Sequence, residues 1–84
     1  MEMVTDKERL ANLSNNLRRI MLKNRLSQQK LAALSGVQQT AISRIINARN
    51  DPSLSVVSRL ADALETSVDK LLSAPSEKNL QRAS

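Results

Sequence analysis

The sequence predicts an all-α domain of five helices. Apolar residues recur along it at spacings of three and four, which is the period of a helix buried on one side. The 84 residues include one Gly and no Phe, Tyr or Trp, while the Leu, Ala and Arg that favour helices are abundant. A chain of this length forms one domain at most, since a shorter piece would bury too little apolar surface.

The first helix is predicted to run from about Asp6 to Asn24. Its apolar residues form a single stripe, which consists of Leu10, Leu13, Leu17, Ile20 and Met21. Thr5 or Asp6 can cap its first turn. The apolar residues Met1, Met3 and Val4 precede the helix, and the apolar surface they add has to be covered elsewhere.

Two short helices and a tight turn follow. Ser27 is a suitable N-cap for a second helix that ends near Ser35-Gly36, and a third apolar set predicts a helix over about 38–48. Gly36, the one glycine, allows a left-handed turn between them. The interior between the two helices is predicted to contain Leu31, Val37, Ile42 and Ile45.

The last two helices are predicted from a break and two serines. Asn50-Asp51-Pro52 interrupts the chain, Ser53 caps a fourth helix and Ser67 caps a fifth. Their apolar residues are Val56, Val57, Leu60, Ala61 and Leu64, then Val68, Leu71 and Leu72. The domain therefore spans 1–74, and the polar residues 75–84 are expected to form a flexible tail or a truncated linker.

The charges favour a polyanionic partner. The net charge is +5, and no acidic residue lies between Glu8 and Asp51, a stretch that contains eight Lys and Arg residues. A basic lobe of this kind is typical of nucleic-acid binding, although a solvated basic face is the competing interpretation.

Several function classes are disfavoured by composition. Without Cys and His there is no disulfide, no thiol or histidine catalyst and no common zinc site, so an enzyme, a metal or another cofactor is not expected. No apolar run is long enough for a membrane span, and a signal peptide is not expected at the N-terminus. Single-stranded RNA would find no aromatic ring on which to stack.

The third helix presents the candidate binding residues. If Ile42 and Ile45 face the interior, the outward side chains all form hydrogen bonds of the kind that contact base edges or phosphates. They are Gln38, Gln39, Thr40, Ser43, Arg44 and Asn47.

Three segments of the second and third helices form a known pattern: Ser27-Gln28-Gln29-Lys30-Leu31-Ala32, Ser35-Gly36-Val37 and Ala41-Ile42-Ser43-Arg44-Ile45-Ile46-Asn47. Over 27–47 they resemble the helix-turn-helix of phage Cro and CI-type repressors. The resemblance continues through Pro52-Ser53-Leu54, 60–64 and 67–72. It implies a compact, lambda-repressor-like domain of five helices that binds double-stranded DNA with its third helix in the major groove.

The resemblance also assigns roles to residues. It implies that Gln39 is the main base reader, that Gln38 and Thr40 flank it, and that Ser43 and Arg44 follow one turn later. It implies that Gln28 contacts a phosphate and braces Gln39. The remaining backbone contacts are expected at Asn47, Arg49 and Asn50.

Four departures from the family pattern affect helix ends. Lys30 stands where Glu often closes the capping box. Ala48 stands where Gly usually follows the recognition helix, and Glu65-Thr66 stands where Gly-Val is common. Gln38 replaces a Ser or Thr that would cap the third helix, which suggests that base contact outweighs capping there.

The expected function is a transcriptional repressor of a phage or prophage, acting in the bacterial cytoplasm at the nucleoid. A homodimer, or a tetramer, would bind a near-palindromic operator with third helices about 34 Å apart. The N-terminal segment and the fifth helix are the predicted oligomer contacts, and an antirepressor protein could release the DNA. The alternative is an antitoxin that binds a toxin and regulates its own operon.

Overall fold

The computed structural model describes residues 6–49 and 51–74, without the side chain of Asp6. It contains helices α1 (Asp6–Asn24), α2 (Gln28–Ser35), α3 (Gln39–Ile46), α4 (Leu54–Ala63) and α5 (Val68–Leu72). The described residues include no strand, and the predicted all-α class with five helices is confirmed. Four expectations lie outside the described residues: the Thr5 cap, the apolar N-terminal segment, the contact by Asn50 and the tail 75–84.

Serine hydroxyls begin three of the helices, as the sequence predicts. Ser27 accepts a hydrogen bond from the amide of Lys30 at 3.0 Å, and Ser53 and Ser67 accept equivalent bonds at 3.3 and 3.1 Å. Each bond satisfies one of the amides that a helix leaves without a partner in its first turn.

The first four helices are each followed by a residue in the left-handed conformation. Its φ is 56° at Arg25, 77° at Gly36, 54° at Ala48 and 57° at Glu65, so only one of the four is glycine. Backbone hydrogen bonds across the helix ends hold the other three, for example from Arg49 N–H to the Arg44 carbonyl at 2.8 Å. Ala48 and Glu65 therefore adopt the backbone conformation that glycine favours.

The five helices enclose one aliphatic core. α1 packs on α3 and α5, α2 packs on α3 and α4, and α4 packs on α5. The buried apolar residues are Leu13, Leu17, Met21, Leu31, Val37, Ile42, Ile45, Val57, Leu60, Ala61 and Leu71. This set includes all four residues predicted to fill the space between the second and third helices.

α3 is shorter than predicted, because it ends at Ile46 rather than near Ala48. Asn47 forms the first residue of a turn, and the left-handed Ala48 completes it. From α1, the Ser14 hydroxyl and the Arg18 guanidinium donate to the Ile46 carbonyl and so occupy an acceptor at the end of α3.

Asparagine side chains of α1 attach the short helix α5. The amide nitrogen of Asn16, a residue only 2% exposed, lies 2.7 Å from the Leu71 carbonyl and 2.9 Å from that of Ser73. Asn12 donates to the Leu72 carbonyl at 3.0 Å. Because a helix of five residues has few internal hydrogen bonds, these contacts to its last turn help to fix its position.

No helix in the described part of the chain is long and apolar enough to span a membrane.

Candidate nucleic-acid interface

The turn between α2 and α3 is fixed by hydrogen bonds at both sides of Gly36. The Gly36 N–H donates to the Ala32 carbonyl at 2.9 Å. The Ser35 hydroxyl donates to the Leu31 carbonyl at 2.7 Å and accepts from the Val37 amide at 3.1 Å. A Cβ at Gly36 would meet no atom within 4 Å, so the glycine serves the positive φ of 77° rather than close packing.

One side of α3 is anchored in the core and the other is exposed. Ile42 and Ile45 are 0% and 2% exposed. The predicted outward side chains of Gln38, Gln39, Thr40, Arg44 and Asn47 are exposed, whereas that of Ser43 is half-buried. The prediction of the outward face therefore holds in the fold, with Ser43 lying nearer the interior than expected.

Along α3, the exposed side chains form no hydrogen bond with the residues that the structure describes. Gln38 is the N-cap of α3, yet its side chain makes no capping hydrogen bond. The side chains of Gln39, Thr40 and Arg44 form no hydrogen bond within the described part of the chain. Since an exposed amide or hydroxyl can exchange water for another partner at little cost, these groups are free to bind base edges.

Helical spacing arranges the candidate base-reading residues in two rows. Gln39 and Ser43 are four residues apart, as are Thr40 and Arg44, so each pair lies on the same side of the helix. Gln38 extends the surface by one residue at the amino end. The fold thus brings together all five residues predicted to contact bases, while their contacts themselves stay a prediction.

The predicted phosphate contacts have different environments. Gln28 is the first residue of α2 and is half-buried, and no hydrogen bond joins it to Gln39 in the described part of the free protein. The Asn47 side chain donates to the Ser43 carbonyl at 2.9 Å. Arg49 is exposed. The structure shows no hydrogen bond between Gln28 and Gln39, so this brace and the backbone contacts stay predictions.

The structure adds a contact between α1 and α3 that the sequence did not predict. Ser14 and Arg18 are four residues apart on α1, and both donate to the carbonyl of Ile46 at the end of α3. Their spacing placed them on one side of a helix, but the partner lies 28 and 32 positions further along the chain. Only the packing of α1 on α3 reveals this contact.

The surface around α2 and α3 carries positive charge without acidic neighbours in sequence. Neither helix has an acidic residue in its first turn, and no Asp or Glu lies between residues 8 and 51. Asp51 lines a hollow together with Arg44, so one carboxylate does lie beside the basic residue of α3. The long basic stretch still favours the approach of a polyanion.

Comparisons with known proteins agree with this geometry. The helix-turn-helix family matches residues 17–71, which extend from α1 into α5. Control protein C.SmaI from Serratia marcescens is 41% identical over 69 residues, which are 82% of each chain. The crystal structure of a hypothetical transcription factor, NHTF from Neisseria, has a TM-score of 0.84 at 26% identity and covers 99% of this chain and 93% of its own. The chain belongs to the XRE-type helix-turn-helix family of DNA-binding transcription regulators.

Proposed function

We propose that this regulator is a control protein that binds a near-palindromic operator as a homodimer, with one α3 of each copy in the major groove. The observation that carries the proposal is the face of α3. There, exposed polar side chains form no hydrogen bond with the described residues, on a helix anchored by Ile42 and Ile45. The 41% identity to a control protein supports the regulatory role. The regulated unit that fits this relationship is the operon of a restriction–modification system.

Gln39 is the main base reader in this proposal. A Gln side chain can accept from N6 and donate to N7 of adenine, and a bidentate pair of this kind discriminates between bases by about 1–3 kcal/mol. Gln38 and Thr40 contact the neighbouring base pairs, and Ser43 and Arg44, one helical turn further along α3, contact base pairs further along the same groove. Arg44 suits guanine or a phosphate, because its guanidinium offers two parallel donors.

The backbone contacts position this helix. Gln28, Asn47, Arg49 and Asn50 are proposed to bind phosphates on either side of the groove, which sets the register but carries no base preference. Gln28 can brace Gln39 once DNA orders both side chains. The protein acts in the cytoplasm, where a bacterial operator is found.

Selection from a random duplex library tests the proposal. The bound sequences should contain two inverted half-sites centred about 10 base pairs apart, because dimeric helix-turn-helix proteins place their recognition helices one turn of DNA apart. With Gln39→Ala, selection should give the same spacing but lose preference at one base pair of each half-site. Unchanged preference with Gln39→Ala would rule out α3 as the recognition helix.

The pairing surface is proposed to lie around Leu54 at the start of α4. Leu54 is 69% exposed and borders a hollow of about 140 Å³ that Leu10, Pro52 and Leu72 also line. The apolar side chains of α5 pack mostly within the domain, since Leu71 is fully buried and Val68 and Leu72 pack on the core. We therefore propose that a second copy covers Leu54, with the edge of α5 contributing through Leu72.

A matched pair of substitutions tests this surface. Leu54→Asp should weaken dimerisation in sedimentation experiments, because it would place a charge in an apolar contact. Leu22→Asp is the control, since Leu22 is 81% exposed but lies 12 residues beyond Leu10 on α1, about 18 Å along the helix. Equal behaviour of the two variants would contradict the assignment.

A phage or prophage repressor is the second candidate, and the similarity of residues 27–47 to Cro and CI-type repressors favours it. Transcription in vitro from the operator's own promoter separates the two. A repressor only lowers transcription by excluding RNA polymerase and needs a releasing agent such as an antirepressor. A control protein that also activates raises transcription at low concentration, and this result would exclude simple repression.

A further inference from the structure

We propose that Arg18 is a phosphate-binding residue of the DNA complex, preset in the free protein by its hydrogen bond to the end of the recognition helix. The proposal rests on the proposed function, because it requires α3 to enter the groove. It adds a specific contact from α1, an element whose arginines the charge pattern left open as backbone contacts or as an exposed basic face.

The carbonyl of Ile46 holds the Arg18 side chain in place. Ile46 is the last residue of α3, and its carbonyl accepts from the Ser14 hydroxyl and, at 3.1 Å, from the Arg18 guanidinium. The C-terminal carbonyls of a helix carry partial negative charge, so a cation is favoured there. Arg18 is thereby fixed beside the turn that begins at Asn47.

The guanidinium keeps most of its capacity for a ligand. It has five N–H donors, of which one contacts Ile46, and Arg18 is exposed. Phosphate oxygens match the planar fork of Arg. Because one hydrogen bond already restricts the long side chain, less conformational freedom is lost when a phosphate binds.

The location agrees with the backbone side of the interface. The residues after Ile46, namely Asn47 and Arg49, are those proposed to contact phosphates. Arg18 approaches the same turn from another helix, within the stretch of the chain that has no acidic residue. The Arg18 guanidinium thus lies where the chain leaves α3 for the residues that are proposed to contact phosphates.

The neighbouring arginine provides a matched control. Arg19 is also exposed and has the same charge, but its guanidinium donates to Oδ1 of Asn16 at 3.1 Å, and Asn16 contacts the end of α5. Arg19 is therefore held on the side of α1 that faces α5, not at the end of α3. A second control, Ser14→Ala, removes the other hydrogen bond to Ile46 without changing charge.

The experiment measures duplex affinity as a function of salt for the full chain. Wild type, Arg18→Gln, Arg18→Lys, Arg19→Gln and Ser14→Ala are titrated with a mixed-sequence duplex and with the selected operator, between roughly 50 and 200 mM KCl. Circular dichroism of each variant confirms folding. For Arg18→Gln the magnitude of the slope of log affinity against log salt should fall by about 0.9 for each Arg18 that contacts a phosphate. This change corresponds to an affinity lower by about fivefold near 0.15 M salt.

The controls decide between a phosphate contact and a structural cap. Arg18→Lys should keep the wild-type slope because it keeps the charge, and Ser14→Ala and Arg19→Gln should also keep it. The proposal is overturned if Arg18→Gln leaves the slope unchanged, if Arg19→Gln lowers it equally, or if Arg18→Lys lowers it as far as Arg18→Gln. Failure of wild type to bind either duplex, or no effect of Gln39→Ala on base preference, would instead refute the proposed function.

Discussion

The recognition surface of α3 and the junction between α1 and α5 use the same kinds of side chain for opposite purposes. At the junction, the amides of Asn12 and Asn16 donate to carbonyls at the end of α5, and Asn16 is almost completely buried. On α3, the amides of Gln38 and Gln39 are exposed and form no hydrogen bond within the described residues.

Burial explains the difference. A buried amide without a partner costs about 1–3 kcal/mol, so a polar side chain in the interior has to be bonded within the protein. An exposed amide is satisfied by water and can exchange that water for a base edge. Exposed side chains whose hydrogen-bonding groups have no partner in the fold are therefore the candidate binding residues. Buried side chains that are bonded within the protein belong to the scaffold.

The largest expected effect concerns the junction. Asn16→Ala should lower the free energy of unfolding by about 2–4 kcal/mol, because carbonyls at the end of α5 would be left buried without a donor. Urea denaturation measures this change. Asn15→Ala is the control, since Asn15 is exposed on the same helix, and it should change stability by less than about 0.5 kcal/mol.

The base preference of the Asn16→Ala variant provides a second test of the junction. Once folded, Asn16→Ala should select the same operator sequence as wild type, because its contacts lie at α5. An altered base preference would break the separation between scaffold and recognition surface.

The second largest effect is expected at Gln38, where one substitution should raise the stability of the fold and lower its affinity for the operator. Gln38→Ser should stabilise the fold by about 0.5–1 kcal/mol, because Ser can cap α3 where Gln does not. The same change should weaken operator binding by about 1–3 kcal/mol if Gln38 contacts a base. Denaturation and operator titration measure the two quantities. Gln29→Ser, on the exposed side of α2, should leave operator affinity unchanged, and a Gln38→Ser variant that binds as well as wild type would contradict the base contact.

The smallest effect concerns the loop that follows the recognition helix. Ala48→Gly should stabilise the protein by about 0.5–1 kcal/mol, since relief of the left-handed conformation exceeds the entropy that glycine loses on folding. Ala33→Gly, at an exposed position within α2, should instead destabilise by a similar amount. Thermal unfolding compares the two, and destabilisation by both would show that the turn at Ala48 is not strained.

Much of the fold was predictable because its signals are local. Ser27, Ser53 and Ser67 each precede an apolar set, and a hydroxyl there bonds to an amide three residues away. The face of α3 followed from the period of Ile42 and Ile45. The helix length of α3 was overestimated, because neither the left-handed Ala48 nor the contacts to Ile46 have a local signal.

The sequence by itself determined the five helices, the identity of the core side of α3 and the exposed residues Gln38, Gln39, Thr40 and Arg44. These follow from helical period and capping, which depend on neighbours within four residues. Only the tertiary structure decided the roles of Asn12, Asn16, Ser14 and Arg18, whose partners lie 28 to 60 residues away. A polar side chain on a helix has the same sequence signal whether it meets water or a distant carbonyl, so its role depends on which helix packs against it.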